Sequence, residues 1–80
     1  MTTSIQDLLL NDRGFAFDPV NGDTYQLSST GLRIVRLLQA GTEEKDILAR
    51  LQEEFEVDEH TAERDVQTFL ATLEQMGWKS

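Results

Sequence analysis

The hydrophobic pattern of this 80-residue chain changes period once, near residue 28. Before that point, short apolar stretches are separated by turn signals, which is typical of strands. After it, apolar residues recur at intervals of three and four, which is typical of helices. A chain of this length has material for one domain with one core. The pattern therefore predicts a single α+β domain over residues 1–80, in which a small sheet precedes a helical half.

Three antiparallel strands are expected in the first half. Phe15 and Phe17 lie two residues apart and so on one face of a strand, where large rings favour the core. Turn-forming residues surround this strand at 11–14 and 18–23. In the next strand, Tyr25 and Leu27 face the core. Segment 5–10 is consistent with a first strand or with one helical turn, and residues 1–4 are expected to fray.

Three helices are expected in the second half. Capping residues mark their starts: Ser28, Ser29 or Thr30 for the first helix, Thr42 for the second and Asp58 for the third. Gly41 and Gly77 mark the ends of the first and third, and Phe55 belongs to the apolar face of the second. Two helices with short connections and a longer third, preceded by a hairpin, predict a winged helix-turn-helix-like fold.

Charge argues against nucleic acid as a partner. Fifteen acidic and seven basic residues give a net charge of −8, a field that repels phosphate backbones. The predicted third helix, which would be the recognition helix of a winged-helix DNA-binding protein, carries Arg64 as its one basic residue against five acids. DNA binding is therefore the less favoured function for this winged-helix-like fold.

Composition also argues against an enzyme, a metal site and a carrier protein. The chain has no cysteine, one histidine (His60) and no glycine-rich phosphate loop, so no catalytic residue, metal or cofactor is expected. Ser28 and Ser29 stand at a helix start but lack the Asp-Ser-Leu setting of an acyl or peptidyl carrier. The longest apolar run, 8–10, is far short of a membrane span, and no secretory signal begins the chain. A cytoplasmic protein is expected.

A series of short motifs runs through most of the chain in fixed order. It consists of Gly14-Phe15-x-Phe17-Asp18-Pro19, Gly22-x-x-Tyr25-x-Leu27, Thr30-Gly31, Gly41, Ile47, Leu51, Phe55-Glu56-Val57-Asp58, Asp65-Val66, Phe69, Leu73 and Gly77. Together these residues resemble the PqqD family and the related recognition domains of peptide-modifying systems, over about residues 5–78. Ser28 stands where the family often has Asn. The Phe-x-Phe-Asp-Pro version is more similar to a branch associated with an HPr-kinase-like protein.

The resemblance implies a peptide-binding adaptor and no enzyme. In similar domains, the leader segment of a precursor peptide adds as a strand to the exposed edge of the third strand, beside the third helix. The domain then presents the peptide to a modifying enzyme, such as a radical SAM protein or an HPr-kinase-like protein. An open strand edge suits this use, because its free N–H and C=O groups pair with any extended peptide. The implied peptide-binding residues are Asp23, Thr24, Tyr25, Gln26, Leu27, Thr61, Asp65, Thr68 and Phe69.

The sequence leaves open one alternative function and the oligomeric state. The chain is also consistent with a protein–protein adaptor in an HPr-kinase-like system. Free strand edges are able to pair two copies, so a monomer or a weak dimer is expected.

Overall fold

The computed structural model describes residues 3–79, and within them a three-stranded antiparallel sheet is followed by three helices. This confirms the predicted α+β fold. The elements are β1 (Thr3–Ser4), a 3-10 turn (Ile5–Asp7), β2 (Leu9–Leu10), β3 (Phe15–Phe17), β4 (Thr24–Gln26), α1 (Ser29–Gln39), α2 (Glu44–Phe55), α3 (Glu59–Gln75) and β5 (Trp78–Lys79). No helix in this described part is long and apolar enough to span a membrane.

The sheet has the order β2-β3-β4, and its two faces differ from the prediction. Ala16 is fully buried, whereas Phe15 and Phe17 are 39% and 38% exposed on the outer face. The prediction that both rings belong to the core was therefore wrong. Ala16 pairs across the sheet with Tyr25, whose ring meets the Trp78 ring edge-on at 5.0 Å. Because these two large rings occupy the inner face of the sheet, β3 contributes only the small side chain of Ala16 to that face.

Local capping signals set most helix boundaries. The Ser28 hydroxyl accepts the Gly31 N–H at the start of α1, and the Asp58 carboxylate accepts the Thr61 N–H at the start of α3, so both predicted caps are confirmed. Thr42 is not the cap of α2, which begins after Glu43. Instead, the Thr42 N–H bonds the Leu37 carbonyl in a Schellman ending of α1, with Gly41 at a φ of +81°.

The core consists of two clusters of buried residues that share neighbours. One joins the sheet and the chain ends to α1 and α3, through Ile5, Leu8, Ala16, Leu27, Val35, Leu73 and Trp78. The other joins the three helices, through Ile34, Leu37, Ile47, Leu51, Ala62 and Val66. Phe69 packs against both clusters. Phe55 was predicted to lie on the buried face of α2, but it is 37% exposed, because it is the last residue of that helix and the chain turns away at Glu56.

The two ends of the chain are held together by a pairing that the sequence pattern did not reveal. β1 runs parallel to β5, with Thr3 opposite Trp78 and Ser4 opposite Lys79. Thr3 is buried and its N–H donates to the Gly77 carbonyl at 2.9 Å. Thr3 and Ser4, which were predicted to fray, take part in this pairing. Residues 1 and 2 of the same prediction lie outside the described residues.

A buried carboxylate fixes this junction to the sheet. Asp18 is 1% exposed and accepts hydrogen bonds from the Trp78 indole Nε1 (2.9 Å), the Thr3 hydroxyl (3.0 Å) and the Val20 N–H (2.9 Å). Burial acts to raise the pKa of Asp18, but these hydrogen bonds outweigh it and leave the pKa below the ordinary value of 3.8. The carboxylate is therefore ionised at neutral pH, with its buried oxygens satisfied.

Replacing Trp78 by Phe tests the strength of this junction. The variant keeps an aromatic ring but removes the indole N–H, so we expect the free energy of unfolding to fall by about 1.5–3 kcal/mol, the usual contribution of a hydrogen bond to a charged group. Urea denaturation followed by circular dichroism at 222 nm measures this change. The control is Phe55→Leu at an exposed ring, expected to stay within about 0.5 kcal/mol of the wild type. Equal losses in both variants would contradict the assignment.

The pH dependence of stability tests the ionisation of Asp18. Because the folded-state pKa lies below 3.8, this carboxylate stabilises the fold well above pH 3.8, and its contribution is lost as the pH falls through the folded-state value. The gap in unfolding free energy between the wild type and Asp18→Asn should stay constant from about pH 7 to about pH 5 and narrow below 3.8. Asp7→Asn, at an exposed position, serves as control and should show no such narrowing. A gap independent of pH would contradict the prediction.

Candidate functional site

The outer edge of β4 presents unpaired backbone groups. The Leu27 N–H donates to the Gly14 carbonyl (2.7 Å) and the Asp18 N–H donates to the Asp23 carbonyl (2.8 Å), which fixes the phase of the β3–β4 ladder. Since bonded pairs alternate in an antiparallel ladder, the backbone groups of Tyr25 point towards β3. The N–H and C=O groups of Thr24 and Gln26 therefore point away from the sheet, along an edge that no other described strand covers.

This edge leads into a pocket between α1 and α3. Ser28 follows Gln26 by two residues, and it both caps α1 and lines the pocket. The pocket has a volume of about 310 Å³. The start of α1 forms one wall and one face of α3 forms the other, and the lining residues are Ser28, Thr30, Gly31, Ile34, Asp65, Thr68, Phe69 and Thr72.

The position of Phe69 depends on a close helix contact. Gly31 is buried in the first turn of α1, where a Cβ atom would lie 2.8 Å from Cε1 and 3.3 Å from Cζ of Phe69. Only glycine lets the ring approach α1 this closely without a shift. Because the ring also packs against both core clusters, it forms a fixed apolar part of the pocket wall.

Polar groups around the ring come mainly from α3. The Asp65 side chain is 45% exposed, and its ion pair with Arg64 is long at 3.9 Å, between two solvated groups. Such a pair contributes little, so the carboxylate is available to a cation in the pocket. The Thr72 hydroxyl donates to the Thr68 carbonyl at 3.0 Å. The pocket thus combines one aromatic surface with hydroxyl groups and a carboxylate.

The structure brings most of the sequence-predicted site residues to this edge and pocket. Thr24, Tyr25 and Gln26 form β4, and Asp23 and Leu27 flank it. The Tyr25 ring points inward to Trp78, so this residue offers no side chain to the outer face. Three predicted residues of the third helix line the pocket together, namely Asp65, Thr68 and Phe69.

Thr61 does not line the pocket. Its N–H donates to the Asp58 carboxylate at 2.7 Å, and this bond lowers the pKa of Asp58. The sequence prediction missed the α1 wall and Thr72. Thr72 follows Thr68 by one helical turn, so the helical period could have predicted it. The approach of α1 to α3 had no such signal beyond the Thr30-Gly31 motif.

The described residues contain no candidate metal site. Within residues 3–79, no three His, Asp or Glu side chains lie close enough together to hold an ion. His60 and the acids near it at the start of α3 form an open, shallow surface.

Comparison with known proteins identifies the family of this chain. The sequence profile of the family described as Coenzyme PQQ synthesis protein D (PqqD) matches residues 9–78. The chain belongs to the PqqD family. No curated protein and no solved structure shows a significant match. PqqD-family proteins are non-catalytic accessory proteins of PQQ biosynthesis that bind a precursor peptide and work with a partner enzyme.

The contact between Gly31 and Phe69 leads to a prediction about the pocket. Gly31→Ala should move the Phe69 ring, because the new methyl group collides with it, and this change is measured as altered ring-proton chemical shifts. The gain in helix propensity is roughly 1 kcal/mol and offsets much of the collision, so stability should change little. Gly41→Ala is the control: its positive φ makes that variant less stable, with no change at the Phe69 ring. Unaltered Phe69 signals in Gly31→Ala would contradict the close contact.

Proposed function

We propose that this chain is a cytoplasmic peptide-binding adaptor that takes up the leader segment of a ribosomally made precursor as an added strand along β4. The observation that carries the proposal is the outward direction of the Thr24 and Gln26 backbone groups on an open edge that leads to the α1–α3 pocket. Two residues in this phase offer two donors and two acceptors to an extended chain. Backbone pairing supplies affinity with little demand on the leader sequence.

The pocket gives this binding its side-chain preference. A leader strand beside β4 runs towards Ser28, where one of its side chains reaches Phe69 and a neighbouring one reaches Asp65. We therefore expect a leader that places an apolar residue and a Lys or Arg at this point. The net charge of −8 acts in the same direction, because it attracts basic peptides and repels acidic ones.

The bound leader is presented to a modifying enzyme. A radical SAM protein and an HPr-kinase-like protein are the two candidates, the second because the Phe15-x-Phe17-Asp18-Pro19 motif is similar to the branch associated with such a protein. A protein–protein adaptor without a peptide ligand is the alternative. The experiment below separates the two functions, because only strand addition requires the backbone groups of β4.

Gln26→Pro tests strand addition. Proline removes the outward N–H of Gln26, which bonds nothing within the sheet, and it places its ring on the free edge. The probes are leader-like peptides synthesised from the small reading frames that flank the gene. With the 15N-labelled wild type, we expect amide shifts to change at Thr24–Gln26 and along 65–72 of α3. In Gln26→Pro, peptide affinity should fall at least tenfold, about 1.4 kcal/mol.

Three further variants keep the test decisive. Gln26→Ala retains the backbone N–H and should bind within about twofold of the wild type. If Gln26→Pro does not fold, Thr68→Trp fills the pocket instead, with Ala71→Trp on the exposed face of the same helix as its control. Peptides that bind Gln26→Pro or Thr68→Trp as tightly as the matched control would falsify strand addition. Peptides that shift neither segment of the wild type point to the protein–protein adaptor.

A further inference from the structure

The outer face of the sheet carries an apolar patch that nothing in the described chain covers. Its main members are Leu9 (62% exposed), Phe15 (39%) and Phe17 (38%), one residue from β2 and two from β3. They surround an open pocket of about 370 Å³ that Leu10, Asn11 and Thr24 complete. Contiguous exposed apolar patches often mark interaction surfaces, whereas single exposed apolar residues do not.

The patch adjoins the edge at which the leader is proposed to bind. Phe17 pairs across the sheet with Thr24, and Phe15 pairs with Gln26, so the side chains of these four residues lie on one face. A strand added outside β4 extends this face, because every second side chain of the new strand points to the same side. A protein seated on the patch is therefore in contact with the leader as well.

Charge decides between the possible occupants. A second copy also carries a net charge of −8, so two copies repel each other as they approach. This charge favours a partner whose apolar contact surface is surrounded by Lys and Arg side chains.

We propose that this face, defined by Leu9, Phe15 and Phe17, is the docking surface for the modifying enzyme, through an apolar patch on that enzyme bordered by basic residues. The inference rests on the proposed function, since the enzyme is the protein to which the leader is presented. In this arrangement, the enzyme contacts two surfaces at once: the aromatic face of the adaptor and the outward side chains of the bound leader.

The double variant Phe15→Thr/Phe17→Thr tests this surface. Threonine favours strands, so the sheet is retained while both rings are lost. The matched control is Phe55→Thr, because Phe55 is exposed to nearly the same extent, 37%, but lies at the end of α2. The probe is the purified candidate enzyme encoded beside this gene, and its binding is measured by calorimetry without peptide.

We expect the double variant to weaken enzyme binding at least tenfold and Phe55→Thr to change it less than about twofold, since buried aromatic anchors dominate such interfaces. Enzyme binding to the wild type should also weaken as salt is raised. Leader affinity, measured separately without enzyme, should be unchanged in both variants. If the wild type does not bind the leader, the proposed function is refuted, but the docking surface is not.

Three results overturn the proposal. The first is an enzyme that does not bind the wild type, and the second is one that binds the double variant as tightly as the wild type. The third comes from sedimentation velocity: a wild-type dimer that becomes a monomer in the double variant shows that a second copy covers the face. Circular dichroism confirms beforehand that all variants are folded.

Discussion

A carboxylate withdrawn from water stays ionised only where donors surround it, and Asp18 meets this condition with groups from three parts of the chain. Its donors are Trp78 near the end, Thr3 near the start and the turn that follows β3. The indole held in this way lies edge-on to Tyr25, which sets the inner face of β4. The phase of β4 and the direction of its free backbone groups thus depend on an interaction on the opposite side of the sheet.

The second constraint is the narrow contact between α1 and α3. Ser28 follows β4 by two residues, caps α1 and lines the pocket, so it links the edge directly to the pocket. Gly31 lets Phe69 bridge the two core clusters while one side of its ring faces the pocket. In so small a domain, the same side chains support the core and shape the candidate site.

Features that depend on neighbours in the chain were predictable from the sequence. The turns on both sides of β3, the caps Ser28 and Asp58 and most of the helical faces follow from local patterns. The free edge and the α3 wall were expected only from the resemblance to the PqqD family. Features that depend on distant residues were not predictable. Phe15 and Phe17 face outward because Tyr25 and Trp78 already fill the inner side. Asp18 and Trp78 are 60 residues apart, and no local pattern reveals their bond. The α1 wall of the pocket arises from the packing of α1 against α3, which are not neighbours in the sequence.

Because β1 pairs with β5, protein segments joined to either side of the domain would be attached at nearly the same place. Strands of two residues span only about 7 Å, so a segment joined before Thr3 and one joined after Lys79 leave the domain close together. A pull on either segment acts on the same β1–β5 ladder and on the Asp18 carboxylate behind it. Such a domain can be carried by another protein from either end, or inserted into one of its loops, with the free edge of β4 left open.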